Sequence, residues 1–290
     1  CSTGFRRNIE AALKNAGEAA TDRFSFFEAD IRDLEACRKA CRGVQVVLHH
    51  AALASVPLSI EQPLSAHTNN VNGFVNMLQA AGESEVERFV YASSSAVYGD
   101  DPRSPKREEH ALKPLSPYAA TKIVNEIYAD VWTRVYGLDC IGLRYFNVFG
   151  PRQDPRGAYA AVISRWIEAL SEGSPVTIYG DGETTRDFCY VKDVVQANIL
   201  AASTENREAL GKVFNVACGV KTTLNELFAI LKKQAAPESE SSPIYRPFRV
   251  GDIAHSLASI ERANTLLGYR PLYSLESGLE EMAAERASSA

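Results

Sequence analysis

Apolar and polar positions come in alternating blocks along the chain. "VQVVLHHAA" (44–52) and "RFVYAS" (88–93) are short runs of β-branched and aromatic residues, the composition of parallel strands buried on both faces. "FSFFEAD" (24–30) and "LDCIGLRYFNVFG" (138–150) read the same way, the second running on into a loop. Helical patterns lie between them: "RDLEACRKACRG" (32–43), ended by Gly43; 66–81; and 117–136, with Ser116 as N-cap and Pro117 in the first turn. This rhythm predicts an α/β fold, a Rossmann-like doubly wound parallel sheet whose ligands sit at the carboxyl ends of the strands. Past residue 150 the rhythm loosens. "GAYAAVISRWIEAL" (157–170) reads as a helix, 174–193 mixes short strands with glycine turns, and 232–247 reads as a polar loop. The expected division is a sheet domain over 1–156 and a smaller lobe over 157–290, with about 186–220 returning to the first.

Composition narrows the function more than the fold. The 290 residues are 46% hydrophobic and 23% charged, enough apolar material for a sizeable core. A net charge of −5 and the lack of a basic amphipathic segment speak against nucleic acid and membrane surfaces as partners. The apolar runs are strand-sized, and no signal peptide is visible. Of the six cysteines only Cys37 and Cys41 are close in sequence, with no second pair to complete a zinc site. Free thiols in a reducing cytoplasm are expected, and no metal.

Two stretches carry chemistry. "SPYAATK" sets Tyr118 and Lys122 four residues apart, hence on one face of a helix. A lysine ammonium beside a phenol lowers its pKa from about 10 and makes it a usable general base or acid. "YASSSAVYGD" (91–100) places three serines where a strand ends, 24 residues before Tyr118 when counted from Ser94. A hydroxyl there can share the proton and hold a substrate oxygen; the plainer reading is a polar turn that satisfies backbone groups. The spacing alone leaves the three serines as alternatives.

With these motifs the chain resembles the extended short-chain dehydrogenase/reductase family, most closely its C4 epimerases of UDP-N-acetylhexosamines. The resemblance runs through "ADIRD" (29–33), "HHAALASVP" (49–57), "NVNGF" (70–74), "YASSSAVYGD", "SPYAATK", "RYFNVFGPRQDP" (144–155), "GAYAAVI" (157–163), "YGDGETTRDFCYV" (179–191) and "RVGDIAHS" (249–256). It implies tightly held NAD in the first domain, with Asp30 and Ile31 at the adenine and His50, Ala51, Ala52 and Leu53 following a strand end toward ribose and pyrophosphate. Asn70 resembles the family's loop-ordering asparagine, Phe146 would lie against the nicotinamide, and Ser93 would line the cofactor. Ser94, five positions before Gly99, matches the catalytic hydroxyl better than its neighbours, beside Tyr118 and Lys122. Ser95 and Ala96 stand where the dehydratase branch carries Asp-Glu, which disfavours dehydration.

The resemblance likewise implies a UDP-sugar site. Asn147 would face the diphosphate, Arg186 and Arg249 would bind phosphate oxygens, Asp252 a ribose hydroxyl, and Ser55 and Tyr179 would add contacts. Ala54, Ala161 and Ser256 would be small walls of the sugar pocket, leaving room for a C2 N-acetyl group. A homodimer through the helices near 66–81 and 117–136 is implied too, with Ile123, Ile127 and Val131 as an apolar stripe, and surface-polysaccharide synthesis is the family's common use. The family's opening G-x-x-G-x-x-G strand does not occur here, so the pyrophosphate cradle is expected to be missing and the given chain alone to be unstable or cofactor-free. The expected activity is NAD-dependent inversion at C4 of UDP-GlcNAc/UDP-GalNAc or the corresponding uronic acids. Its rivals are another nucleotide-sugar enzyme of the same family (a reductase, a decarboxylase or a different epimerase) and a non-catalytic remnant.

Overall fold

The computed structural model describes residues 4–154, 161–235, 237, 241–248 and 255–289. The chain opens with helices α1 (Arg6–Ala16), α2 (Glu18–Thr21) and α3 (Leu34–Cys41), followed by strand β1 (Val46–His49) and helices α4 (Val56–Glu61), α5 (Pro63–His67) and α6 (Gly73–Glu83). Asp33 caps α3 by accepting from the amides of Glu35 and Ala36. A wide helical turn over Thr68–Asn72 joins α5 to α6, so the helix predicted at 66–81 runs from Pro63 to Glu83. Then come β2 (Arg88–Ser94), α7 (Pro117–Val131), β3 (Asp139–Tyr145) and β4 (Asn147–Phe149). Ser116 caps α7 through the Ala119 amide, and the helix continues as a wide turn to Tyr136, where Gly137 at φ +74° ends it.

The remaining elements are α8 (Val162–Ser171), β5 (Thr177–Tyr179), β6 (Thr185–Arg186), β7 (Phe188–Tyr190), α9 (Val191–Ser203), β8 (Val213–Val216), β9 (Thr222–Thr223), α10 (Leu224–Ala235), β10 (Ile244–Arg246), α11 (Glu261–Leu267) and α12 (Leu275–Ser289). The main sheet is parallel, in the order β1-β2-β3-β8, with Leu48 opposite Val90, Val90 opposite Ile141 and Leu143 opposite Phe214. Alternation along the strands feeds two cores. Phe89, Tyr91 and Cys140 pack with Phe74 and Leu78 of α6 and Ala129 of α7 on one face. Val90, Ile141 and Leu143 pack with Val194 and Ala197 of α9 and Leu267 of α11 on the other. This is the doubly wound α/β arrangement expected. A separate core joins α8, α10 and α12 to β5 and β7 through Trp166, Ile178, Leu227, Leu279 and Met282.

Three local expectations fail. Residues 24–30 form no strand; they make no ladder with any described strand, and Phe24, Phe26 and Phe27 are exposed. Strand propensity without a ladder partner does not make a strand. β1 is not buried on both faces either: it is the outer strand, and Val46 and Leu48 stay exposed while Val47 and His49 are buried. The stretch read as one loop over 232–247 instead begins inside α10 and ends in β10, which pairs with β5. The Pro and Ser residues between these elements masked their ends.

Candidate active site

The carboxyl ends of β1, β2 and β3 and the first turns of α7 converge on one place. β2 delivers the serines there. Ser93 is buried and donates to Glu126 Oε1 at 2.5 Å, whereas Ser94 accepts the Ala96 amide at 3.2 Å as the chain turns off the strand. The Ser94 side chain lies close enough to the Tyr118 phenol to lower its pKa. Ser93 is thus set apart by the Glu126 carboxylate, and Ser94 by its place at the turn beside the tyrosine. Gly99 closes the turn at φ +55°, where a Cβ would sit 1.5 Å from the Lys113 carbonyl oxygen, so only glycine fits.

Tyr118 is held from behind by its own amide, which donates to Ser59 Oγ at 3.0 Å. Lys122 is 3% exposed and donates to the Ala92 carbonyl at 2.8 Å, with its ammonium 5.8 Å from the Tyr118 ring centroid. Burial lowers the lysine's pKa to about 8, opposed by the Glu126 carboxylate. Burial also raises the Tyr118 phenol, and the nearby Ser94 side chain pulls it back down. The sequence expectation that Lys122 would lower the phenol is therefore not met here. Desolvation wins, because the ammonium turns to the Ala92 carbonyl instead of the phenolic oxygen.

Asn70 orders the loop after β1: it accepts the Leu53 amide at 2.7 Å and donates to the Leu53 carbonyl and to Thr121 Oγ1, each at 3.1 Å. That ties Leu53 to α7. Ala51 and Ala54 are exposed on this loop and Ala52 is half-buried, while Ser55 spends its hydroxyl capping α4 through the Leu58 amide. His50 lies parallel to Tyr145 and meets its hydroxyl at 2.8 Å, and burial lowers its pKa. Ile31 packs on Gly73 at the start of α6, one turn from Asn70. Asp30 is exposed and paired with Arg32 at 2.6 Å, which holds its carboxyl down at about 2.

On the far side, Phe146 is buried against Tyr98 and Ala217, and its amide donates to Val216. The Asn147 amide donates to the Asp187 carbonyl, and Arg186 donates to the Thr185 carbonyl at 2.8 Å. Ser256 is buried and donates its amide to the Thr185 carbonyl at 3.1 Å. Tyr179 is half-buried on β5 and Ala161 precedes α8. Arg249 and Asp252 lie outside the described residues.

Four residues escaped the sequence reading. Glu126 stands four residues after Lys122, so helical spacing carried the signal. Arg144 clasps it with two bonds, at 2.9 and 2.7 Å. Asp187 is buried and gathers the amides of Cys218, Gly219 and Ala258. Ser59 had no signal at all, since its partner is a backbone amide 59 residues away.

The family model described as "NAD dependent epimerase/dehydratase family" matches residues 3–217. The chain belongs to that family. NAD is the family's cofactor, and the protein is an NAD-dependent enzyme of the isomerase class. A UDP-glucose 4-epimerase of Mycolicibacterium smegmatis is 37% identical over 281 residues, covering 96% of this chain and 86% of the relative. The structure of a UDP-N-acetylglucosamine 4-epimerase from Methanobrevibacter ruminantium, in complex with UDP-N-acetylmuramic acid, superimposes with a TM-score of 0.85 at 40% identity, over 91% of this chain and 83% of that one. The Thermus thermophilus UDP-glucose 4-epimerase in complex with NAD does so with a TM-score of 0.81 at 34% identity, over 91% and 85%.

The residues present fit the redox half of the cofactor. The Ala92 carbonyl takes one of the three Lys122 protons, so a buried cation keeps two donors for ligand hydroxyls. Among the described residues, no glycine turn leads from a strand of the main sheet into a helix N-terminus.

Proposed function

We propose that this protein is an NAD-dependent UDP-sugar 4-epimerase, and that its sugar carries a C2 N-acetyl group, as in UDP-GlcNAc and UDP-GalNAc. The observation that carries the reading is the buried Tyr118 phenol with the buried Lys122 ammonium 5.8 Å from its ring centroid and the Ser94 side chain close by. Tyr118, Lys122, Asn70 and Phe146 would hold the nicotinamide end of NAD, which when bound supplies the hydride acceptor and donor. The chain's own residues handle the proton. Tyr118 Oη takes it from the C4 hydroxyl, Ser94 steadies the same oxygens, and Lys122 supplies the positive charge that a buried phenolate requires. After the sugar turns over, Tyr118 returns the proton and C4 is inverted.

The N-acetyl assignment rests on size: Ser256, Ala161 and Ala54 are small, and Ser256 is buried beside Thr185. Arg186 and Asn147, on β6 and β4, would meet the diphosphate. A homodimer completes the reading. Ile60, Leu64, Ile127 and Tyr128, on α4, α5 and α7, all present apolar side chains to solvent. The stripe expected on α7 is split, however, because Ile123 and Val131 pack inward. No helix of the described residues is long and apolar enough to cross a membrane, and the free thiols support a reducing cytoplasm.

The test is interconversion of UDP-GlcNAc and UDP-GalNAc by the purified protein with added NAD, followed by chromatography and by absorbance of the reduced cofactor. The reading requires both sugars to appear from either one without build-up of NADH. Stoichiometric NADH, or no turnover of either sugar, overturns it.

A further inference from the structure

We propose that Cys189 and Cys218 are a redox-active thiol pair that closes to a disulfide when a peroxide-class oxidant reaches Cys218. Cys189 lies on β7 and is fully buried, whereas Cys218 follows β8 and is half-buried. Their sulfurs lie within 4.8 Å of one another. A disulfide needs about 2.05 Å between sulfurs, so the two side chains must approach further for the bond to form. The backbones on both sides are already fixed relative to each other. Asp187, two residues before Cys189, accepts the Cys218 amide at 3.0 Å and the Gly219 amide at 3.1 Å.

The other partners of the two thiols are weak and exchangeable. Tyr269 donates its hydroxyl proton to the Ala217 carbonyl at 3.0 Å, so its oxygen meets Cys189 Sγ, at 3.7 Å, as an acceptor. Cys218 Sγ points to the Tyr273 carbonyl at 3.6 Å. Asp193 is the third donor near the sulfurs, but its two oxygens already accept the Leu272 and Tyr273 amides at 2.8 and 3.3 Å. It caps that turn, which favours oxidation of the thiols over capture of a cation. Cys37, Cys41 and Cys140 sit in the core on the opposite face of the sheet and cannot reach this pair.

The order of events follows from exposure. Cys218 attacks a peroxide oxygen; the O–O bond breaks and the thiol's proton goes to the departing hydroxide, giving a sulfenic acid and one water. Cys189 then attacks that sulfur, its proton leaves with the hydroxyl as a second water, and the S–S bond forms. Two thiols and one hydrogen peroxide become one disulfide and two waters. Burial and the neighbouring thiol hold Cys189 protonated until then, which makes it the resolving partner.

The experiment treats the folded protein with hydrogen peroxide, blocks residual thiols with N-ethylmaleimide before unfolding, and maps tryptic peptides. The expected product joins peptide 187–192 to peptide 213–221, with a mass lower by two hydrogens, and a dithiol reductant releases it. In Cys218→Ser the crosslink is lost and Cys189 stays alkylatable once the protein is unfolded. Unlinked peptides in the treated wild type, with Cys218 either untouched or over-oxidised alone, overturn the proposal. So does a Cys189 crosslink to another cysteine in Cys218→Ser.

Discussion

Arg144→Met tests whether the buried pair behind α7 is a structural keystone. The Arg144 and Glu126 side chains are 3% and 9% exposed and share two bonds, while Arg144 also donates to the Tyr98 hydroxyl at 2.8 Å and the Glu108 carbonyl at 3.1 Å. Methionine keeps the length and apolar stem of the arginine but leaves Glu126 buried with Ser93 as its one remaining donor among the described residues. Removing one partner of such a pair costs about 3–5 kcal/mol. Against a total stability of about 5–15 kcal/mol that is a large fraction. Urea unfolding followed by fluorescence of Trp132 and Trp166, both buried, would read it. The double variant Arg144→Met/Glu126→Leu should regain most of the loss, since no charge is left buried, less roughly 1–3 kcal/mol for the stranded Ser93 hydroxyl. A single variant within about 1 kcal/mol of wild type, or a double variant as unstable as the sum of the singles, refutes the reasoning. Glu126→Gln adds a functional readout. It removes the carboxylate that raises Lys122, so the basic limb of the pH–rate profile should move to lower pH.

Other predictions follow the same geometry. His49 is buried between Phe74 and Phe89 with its pKa lowered to about 3, so the unfolded state binds more protons between about pH 6.5 and 3 and stability falls with pH through that window. At pH 5 the cost is about 2 kcal/mol, and His49→Phe should lose that much less stability than wild type between pH 7 and 5. Asp187, raised to about 6, acts in the opposite sense but equally in both proteins; parallel curves would discard the histidine's role. Ser256→Tyr should cut UDP-GlcNAc epimerisation relative to UDP-glucose by roughly ten- to a hundredfold, as overpacking of about 1–3 kcal/mol implies, whereas equal loss on both sugars removes Ser256 from selectivity. Leu64→Glu, at an 82% exposed position, should dissociate the dimer in sedimentation, and a monomeric wild type at micromolar concentration contradicts the dimer.

The fold was legible where elements stand on their own pattern. The buried strands β2 and β3 and the Ser116-capped α7 appear as read, because apolar runs and caps are local signals. Residues 24–30 and the outer face of β1 were misread because burial there depends on a neighbouring strand, which no local pattern encodes. At the site, helical spacing singled out Tyr118 and Lys122 as a pair, whereas the choice of Ser94 among three serines came from the family resemblance. The clasp of Glu126 by Arg144, the Asp187 cage and the Ser59 strut join residues distant in sequence. The direction of the Tyr118 shift was missed for the same reason, since it depends on where the Lys122 ammonium points.

The most direct test of the central claim is Tyr118→Phe, assayed for interconversion of UDP-GlcNAc and UDP-GalNAc with NAD present. The substitution removes the phenolic oxygen while keeping the ring and the backbone bond to Ser59. The account predicts a fall in kcat of at least roughly 10²–10⁴-fold with the Kd for the UDP-sugar nearly unchanged. Turnover close to that of the wild type would contradict it and take Tyr118 out of the proton transfer.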